Sequence, residues 1–216
     1  FLLTDLRSAS SRPGAISTTM GETQKQWFFS ELDNAHNYAL VVWIDTKVWI
    51  GGVDPNGDDK WFSERYAGER TEIANAIALR NISNFVSIAG DAHMLAFDDG
   101  SHSDYATNGG AGFPIFQSAP MDRPGTTKGG PYTSGCFGFR FFYTNQYATM
   151  NIIDNGGSDV CIEWRGYQDD SLVISERMCH PFVRRGEPGD GGCSIPLVPG
   201  WVWLVSIVGL VICCST

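Results

Sequence analysis

A carboxylate and an imidazole stand two residues apart in the segment Ser87–Ala96, at Asp91 and His93. They follow the apolar run Phe85–Ala89, which predicts a buried strand that breaks at Gly90. In open α/β sheets, ligands bind at the carboxyl ends of the strands. Oxygen and nitrogen donors of this kind suit divalent or trivalent metals that activate water. The alternative is structural, an Asp turn that ends the strand beside a hydrogen-bonded histidine, and the short pattern Gly-Asp-x-His does not decide between them.

The segments before this motif predict the elements that position it. Apolar runs at 1–5 and 38–44 predict two further buried strands, and helical spacing over 22–34 and 70–79 predicts two helices between the strands. This β-α-β-α-β order implies right-handed crossovers, which place the three strand ends on one edge of a sheet. We therefore expect Asp5 and Arg7, after the first strand, to share that edge with Asp91 and His93.

The second half of the chain has a different pattern. The Gly/Ser/Pro-rich segment 100–135 predicts a long loop, of the kind that is usually functional or disordered. Four antiparallel strands are then predicted, at 137–143, 147–154, 160–167 and 172–178, separated by turn residues.

The remaining polar residues carry weaker signals for chemistry. Asp98 and Asp99 are interpreted as turn residues, and His102 as a solvated side chain on a polar loop. Lys128 stands beside two glycines, but the order of residues is wrong for a phosphate-binding loop. We therefore predict that Lys128 does not touch a substrate.

Composition limits the class of partner. The chain has 216 residues, a formal net charge of −9 and a sequence pI near 4.8. A protein that binds the nucleic-acid backbone needs clustered Lys and Arg, and the longest basic run here is Arg184-Arg185. Nucleic acid is therefore excluded as a bound partner.

Residues 195–214 are free of charged side chains. Twenty helical residues would extend roughly 30 Å, the thickness of the hydrocarbon core of a bilayer. The sequence predicts a single transmembrane helix here, after a globular domain at 1–183 and a Gly-rich linker at 184–194. A buried core helix and a lipid-anchor signal are the alternatives.

Cys161 and Cys179 flank a predicted hairpin whose register, centred on residue 170, sets them opposite each other. They are either a disulfide or two free thiols, and a disulfide would imply an oxidising compartment. Asn81-Ile-Ser83 is a glycosylation sequon. These features favour an extracytoplasmic domain, whereas Arg184-Arg185 beside the predicted span favours the opposite orientation.

Several motifs in order identify a family. They are Asp5-Leu-Arg7-Ser8, Gly21-x-x-Gln24-x-x-Trp27-Phe28, Asp59-x-Trp61 with Glu69-Arg70, Gly90-Asp91-Ala92-His93 and Lys128-Gly-Gly-Pro-Tyr132. With these residues the chain resembles the carboxyl-terminal half of alkaline-phosphatase-D-like phosphoesterases, members of the calcineurin-like metallophosphatase superfamily. The resemblance covers roughly residues 1 to 180.

The resemblance implies half of a metallophosphatase-type αββα sandwich and metal-dependent hydrolysis of phosphate esters. Asp91 and His93 would be metal ligands and catalytic residues, and Arg7 would bind the substrate phosphate unless it pairs with Asp5. Two or more metal ions, calcium with iron, are implied as cofactors. The other ligands of such enzymes precede the position of Asp5, so we expect this chain to be an incomplete fragment. The alternative function is a catalytically inactive, membrane-attached binding module with the same fold.

Overall fold

The structure is a computed structural model that describes residues 1–11, 17–55, 59–118, 120–135 and 144–184. The elements are β1 (Leu2–Leu3), α1 (Glu22–Asp33), a 3-10 turn (Ala35–Asn37), β2 (Val41–Asp45), α2 (Ala67–Leu79), β3 (Phe85–Ala89), β4 (Ala96–Asp98), β5 (Ile115–Gln117), β6 (Ser134–Gly135), β7 (Gln146–Asp154), β8 (Val160–Gln168) and β9 (Ser171–Cys179). The described part of the chain is therefore mixed α/β, as the sequence predicts.

The first six strands form one sheet in the order β1-β2-β3-β5-β4-β6. β1, β2, β3 and β5 are parallel, whereas β4 runs antiparallel to β5 and β6. This arrangement confirms the predicted β-α-β-α-β order. Because the parallel strands are in step, with Leu3 beside Ile44 and Ile44 beside Ile88, their carboxyl ends lie on one edge.

The two helices bury their apolar stripes on one face of this sheet. Phe28 and Leu32 lie one turn apart on α1, and Ile73 and Ile77 do so on α2; all four are buried. Between helices and sheet, Trp43 is fully buried among aromatic rings, with Phe28, Trp49 and Trp61 at centroid distances of 5.2, 5.5 and 5.9 Å. This cluster holds β2 under the helices and so fixes the position of its carboxyl end.

The strands β7, β8 and β9 form a separate antiparallel sheet. Its inner side chains, among them Ile162 and Trp164, pack with Val42 and Phe116 from the other face of the large sheet. The described elements therefore form three layers: helices, the six-stranded sheet and the three-stranded sheet.

The segment 100–135 is not the strandless loop that its composition predicts. It contributes β5, which inserts between β3 and β4, because Ile115 and Phe116 are buried on opposite faces of the sheet. The predicted strand at 137–143 lies in residues that the structure does not describe. The other three strands predicted for the second half of the chain are present as β7, β8 and β9. The predicted span at 195–214 also lies outside the described residues. Among those that are described, no helix combines the length and the apolar character needed to cross a membrane.

Candidate functional site

The carboxyl ends of β1, β2 and β3 open into a cleft of about 580 Å³. Its lining residues are Thr4, Asp5, Leu6, Arg7, Thr46, Lys47, Asp59 and Asp91. The structure therefore brings Asp5, Arg7 and Asp91 together, as the strand order predicts. His93 lies two residues beyond Asp91 and is not among these lining residues.

The turn that carries the candidate ligands has an uncommon backbone. Asp91 and His93 have φ values of 66° and 55°, in the left-handed region that residues other than glycine seldom adopt. Such conformations persist where the surrounding structure imposes them, and they are frequent at functional sites. Here the buried side chain of Gln117 holds the end of β3 in place, because its Nε2 donates to the carbonyl oxygens of Ala89 and Gly90 at 3.1 and 2.6 Å.

A second segment, which contains Thr126 and Lys128, also contacts this turn. The backbone N–H of Thr126 donates to the carbonyl oxygen of His93 at 3.0 Å. Two residues further on, the Nζ of Lys128 lies 3.4 Å from Oδ1 of Asp91, and both side chains are partly exposed. The Asp91 carboxylate therefore faces an ammonium group, which balances its charge.

The environment of His93 favours the neutral imidazole. Partial burial lowers its pKa, and the positive charges of Lys128, Arg123 and Lys60 add to this effect, while Asp91 opposes it. A neutral ring has a lone pair available for a metal. His93 is thus in the protonation state that a metal ligand requires.

The guanidinium of Arg7 does not pair with Asp5, which was the alternative to phosphate binding. Oδ1 of Asp5 instead accepts the backbone N–H groups of Arg7 and Ser8, both at 2.9 Å. The Ser8 hydroxyl and these two N–H groups lower the pKa of Asp5 to about 2. No ion pair of Arg7 occurs within the described part of the chain, so its planar fork of donors is available to the cleft.

Sequence analysis missed the polar residues that follow β2. Asp45, the last residue of this strand, is buried and accepts hydrogen bonds from Trp61 Nε1 and from the backbone N–H of Lys47, both at 2.9 Å. Burial raises the pKa of Asp45 to about 7. The ammonium of Lys47 is also buried and pairs with Asp59 at 2.6 Å. The sequence did contain a signal for Asp45. It ends the middle strand, and the rule that ligands bind at the carboxyl ends of strands, which selected Asp91, applies to it equally.

The prediction that His102 is solvated is wrong, because its Nδ1 lies 2.6 Å from Oδ2 of Asp98. Asp98 and Asp99 do act as turn residues, since their carboxylates accept the backbone N–H groups of Gly100 and Ser101, but both side chains are buried. Since β4 runs antiparallel, Asp98 lies beside Ile115, toward the amino ends of the parallel strands. This group is therefore separate from the cleft.

Two metal donors from one turn do not make a complete site. Among the described residues, no group of three or more His, Cys, Asp or Glu side chains is placed to hold a metal ion. The carboxylate of Asp91 and the neutral imidazole of His93 nevertheless fit a hard or borderline cation in type. The two donors would therefore fit a metal ion only as part of a larger set of ligands.

A parallel α/β sheet with polar residues gathered at its strand ends defines the class of ligand-binding α/β proteins. Residues 6–146 match the family model of the PhoD-like phosphatases. The chain belongs to this family.

Comparison with solved structures finds one described as "Structure of PhoD", with 18% sequence identity and a TM-score of 0.46. The match covers 81% of this chain and 41% of that one, so the chain spans less than half the length of the solved protein. No curated protein matches the chain.

Proposed function

We propose that the chain is the part of a metal-dependent phosphoesterase that supplies two metal ligands and a phosphate-binding arginine. The observation that carries this proposal is the cleft at the carboxyl ends of β1, β2 and β3, which Arg7 and Asp91 both line. Membership of the PhoD-like phosphatase family supports hydrolysis of a phosphate ester as the reaction.

In this proposal Asp91 and His93 hold part of a metal centre. Calcium with iron, in two or more ions, is implied by the resemblance. A bound metal would polarise a phosphoryl oxygen and lower the pKa of a water molecule to produce the nucleophile. The left-handed turn and its hydrogen bonds from Gln117 hold Asp91 at the cleft, with His93 two residues further along the same turn.

Arg7 binds the phosphate in this proposal. Its guanidinium presents parallel N–H donors that match two phosphoryl oxygens, which a lysine cannot do. The side chain is exposed at the cleft, and Asp5 is occupied by backbone N–H groups rather than by the guanidinium. The buried Lys47 lines the same cleft, where its ammonium is paired with Asp59.

The test is hydrolysis of p-nitrophenyl phosphate and of bis(p-nitrophenyl) phosphate by the full-length protein expressed with metal ions. We expect His93→Ala to reduce turnover by about two orders of magnitude or more, since lost metal ligands are rarely replaced. His36→Ala is the matched control, because the Nε2 of His36 contacts the Arg80 carbonyl oxygen away from the cleft. Unchanged turnover in the His93 variant would exclude its role.

A catalytically inactive binding module with the same fold is the competing proposal. It is favoured by the lack of a three-ligand cluster among the described residues. Elemental analysis of the purified full-length protein separates the two, because a folded protein without bound metal supports the binding module. Metal in stoichiometric amount, lost in His93→Ala, supports the phosphoesterase.

A further inference from the structure

The side chain of Gln24 binds both backbone groups of Asp5. Its Oε1 accepts the Asp5 N–H at 2.8 Å, and its Nε2 donates to the Asp5 carbonyl oxygen at 2.7 Å. Residue 5 follows β1, which is an edge strand of the sheet, so among the described residues one side of its backbone has no neighbouring strand. The carboxamide of Gln24 supplies the donor and the acceptor that a strand would otherwise offer.

The carboxylate of Asp5 then determines the path of the next residues. Because it accepts the N–H groups of both Arg7 and Ser8, it closes an Asx turn immediately after the position that Gln24 holds. Leu6, between them, is buried in the core. The turn thus directs the side chain of Arg7 to the cleft that Asp91 also lines.

The helix that carries Gln24 is hydrogen-bonded at its start to the second helix, α2. The segment before α1 is held by Glu69, a buried residue in the first turn of α2, which accepts from the hydroxyl of Thr18 and from the backbone N–H of Thr19, the latter at 2.6 Å. The Thr18 hydroxyl oxygen also accepts the N–H of Gly21 at 2.9 Å, at the start of α1. Hydrogen bonds therefore join α2 to the start of α1, and Gln24, in the first turn of α1, joins that helix to the turn of Arg7.

We propose that Gln24 is a positioning residue for substrate phosphate, acting through Asp5 on the guanidinium of Arg7. This inference rests on the proposed function, in which Arg7 binds the phosphate. Gln24 touches no substrate. Its hydrogen bonds to Asp5 are exposed and contribute only modestly to stability, whereas the burial of Leu6 keeps the segment attached when they are lost.

The test is a double-mutant cycle in the full-length protein loaded with metal ions, with p-nitrophenyl phosphate as substrate. Arg7→Ala is expected to raise KM on the order of tenfold, through loss of charge-assisted hydrogen bonds. Gln24→Ala is expected to raise KM about three- to tenfold, with kcat changed less. The Arg7→Ala/Gln24→Ala variant should be no worse than Arg7→Ala alone, because residues that act in series are not additive.

Two further variants serve as controls for the double-mutant cycle of Arg7 and Gln24. Gln24→Glu keeps an acceptor for the Asp5 N–H but places a carboxylate against the Asp5 carbonyl oxygen, so it should behave like Gln24→Ala. Gln26→Ala is the matched control, because the carboxamide of Gln26 bonds the side chain of Glu22 on the same helix and leaves Asp5 untouched. Losses that multiply in the double variant, or equal losses for both glutamines, overturn the inference.

Amide hydrogen exchange keeps the inference separate from the proposed function. If Gln24 positions the turn, the N–H groups of Arg7 and Ser8 exchange faster in Gln24→Ala than in Gln26→Ala. Faster exchange in a full-length protein without phosphatase activity contradicts the proposed function and leaves the positioning intact. Unchanged exchange overturns the positioning, whatever the activity.

Discussion

The ammonium of Lys128 lies 3.4 Å from the carboxylate of Asp91, although 37 residues separate them in the chain. The contact forms because the segment after β5 returns across the carboxyl ends of the parallel strands, where Thr126 also bonds the turn of His93. The ammonium of Lys128 therefore lies next to the carboxylate oxygen through which Asp91 would bind a metal ion.

Removal of this cation should strengthen metal binding. In Lys128→Met, the carboxylate of Asp91 no longer shares its charge with an ammonium, so we expect the dissociation constant for a divalent metal to fall about three- to tenfold, in keeping with a partly exposed ion pair. Isothermal titration of the metal-free full-length protein measures this. Arg177→Met is the control for total charge, because Arg177 pairs with Glu163 on the separate small sheet. Weaker binding in Lys128→Met would contradict the prediction.

Asp45 should give the protein a pH-dependent stability. Burial raises its pKa in the folded state from the ordinary 3.8 to about 7, so the folded state binds the proton more tightly than the unfolded state. The free energy of unfolding should therefore fall as pH rises from about 4 to about 7, by up to about 1.4 kcal/mol per pH unit, and stay level above.

Asp45→Asn should remove this contribution while it keeps an oxygen for the Trp61 N–H. Urea denaturation at pH 5, 6, 7 and 8 measures the difference between the variant and the wild type. Asp33→Asn is the control, since Asp33 is an exposed partner of Arg80. The same pH profile in Asp45→Asn and the wild type would show that the buried carboxyl does not carry the effect.

The sequence predicted the parts of the site that depend on local pattern. Apolar runs at β2 and β3, with amphipathic helices between the strands, were enough to place Arg7 and Asp91 at one edge of the sheet. Parallel strands joined by right-handed crossovers have their carboxyl ends on the same edge. The hairpin register likewise set Cys161 opposite Cys179, which the structure confirms, and of the two alternatives left open the structure contains the disulfide.

The parts that depend on tertiary contact were not predictable. β4, β5 and β6 contain two or three residues each, too few for a period to emerge. Asp98 is buried because β5 and Thr133 enclose it, and nothing in the local sequence distinguishes it from a solvated turn residue. The position of Lys128 is likewise set by the path of a long segment.

Loss of the imidazole of His102 should destabilise the fold without affecting catalysis. In His102→Ala, the fully buried carboxylate of Asp98 loses a hydrogen bond of 2.6 Å, and removal of one partner from such a pair costs about 2–3 kcal/mol. Chemical denaturation measures the loss. KM and kcat of the folded variant should match those of the wild type, because the pair lies away from the cleft. A change in stability no larger than that in His36→Ala would contradict the prediction.

The disulfide should contribute to the stability of the small sheet. Cys161 and Cys179 enclose a hairpin of 18 residues in sequence separation, and closure of such a loop in the unfolded chain corresponds to about 2–3 kcal/mol. The double variant Cys161→Ser/Cys179→Ser should lose this amount in chemical denaturation. A reducing agent should destabilise the wild type to the same extent and leave the variant unchanged. Equal stability of variant and wild type without reductant would exclude the contribution.

We propose that residues 195–214 cross a membrane once and that the globular domain at 1–183 lies on the extracytoplasmic side. The support is the charge-free run, the disulfide and the sequon Asn81-Ile-Ser83, whose Asn81 and Ser83 are exposed. Arg184-Arg185 opposes this orientation, but two arginines are a small charge bias, and long domains translocate largely regardless of such charges.

Protease digestion of sealed vesicles that carry a tagged full-length protein tests the orientation. The domain should resist protease added from the cytosolic face, and carbonate should leave the protein in the membrane. In a eukaryotic secretory host, removal of N-linked glycans should reduce the apparent mass of the wild type but not of Asn81→Gln. Digestion from the cytosolic face would reverse the orientation, and extraction by carbonate would exclude the span, because a helix that crosses the bilayer withstands that treatment.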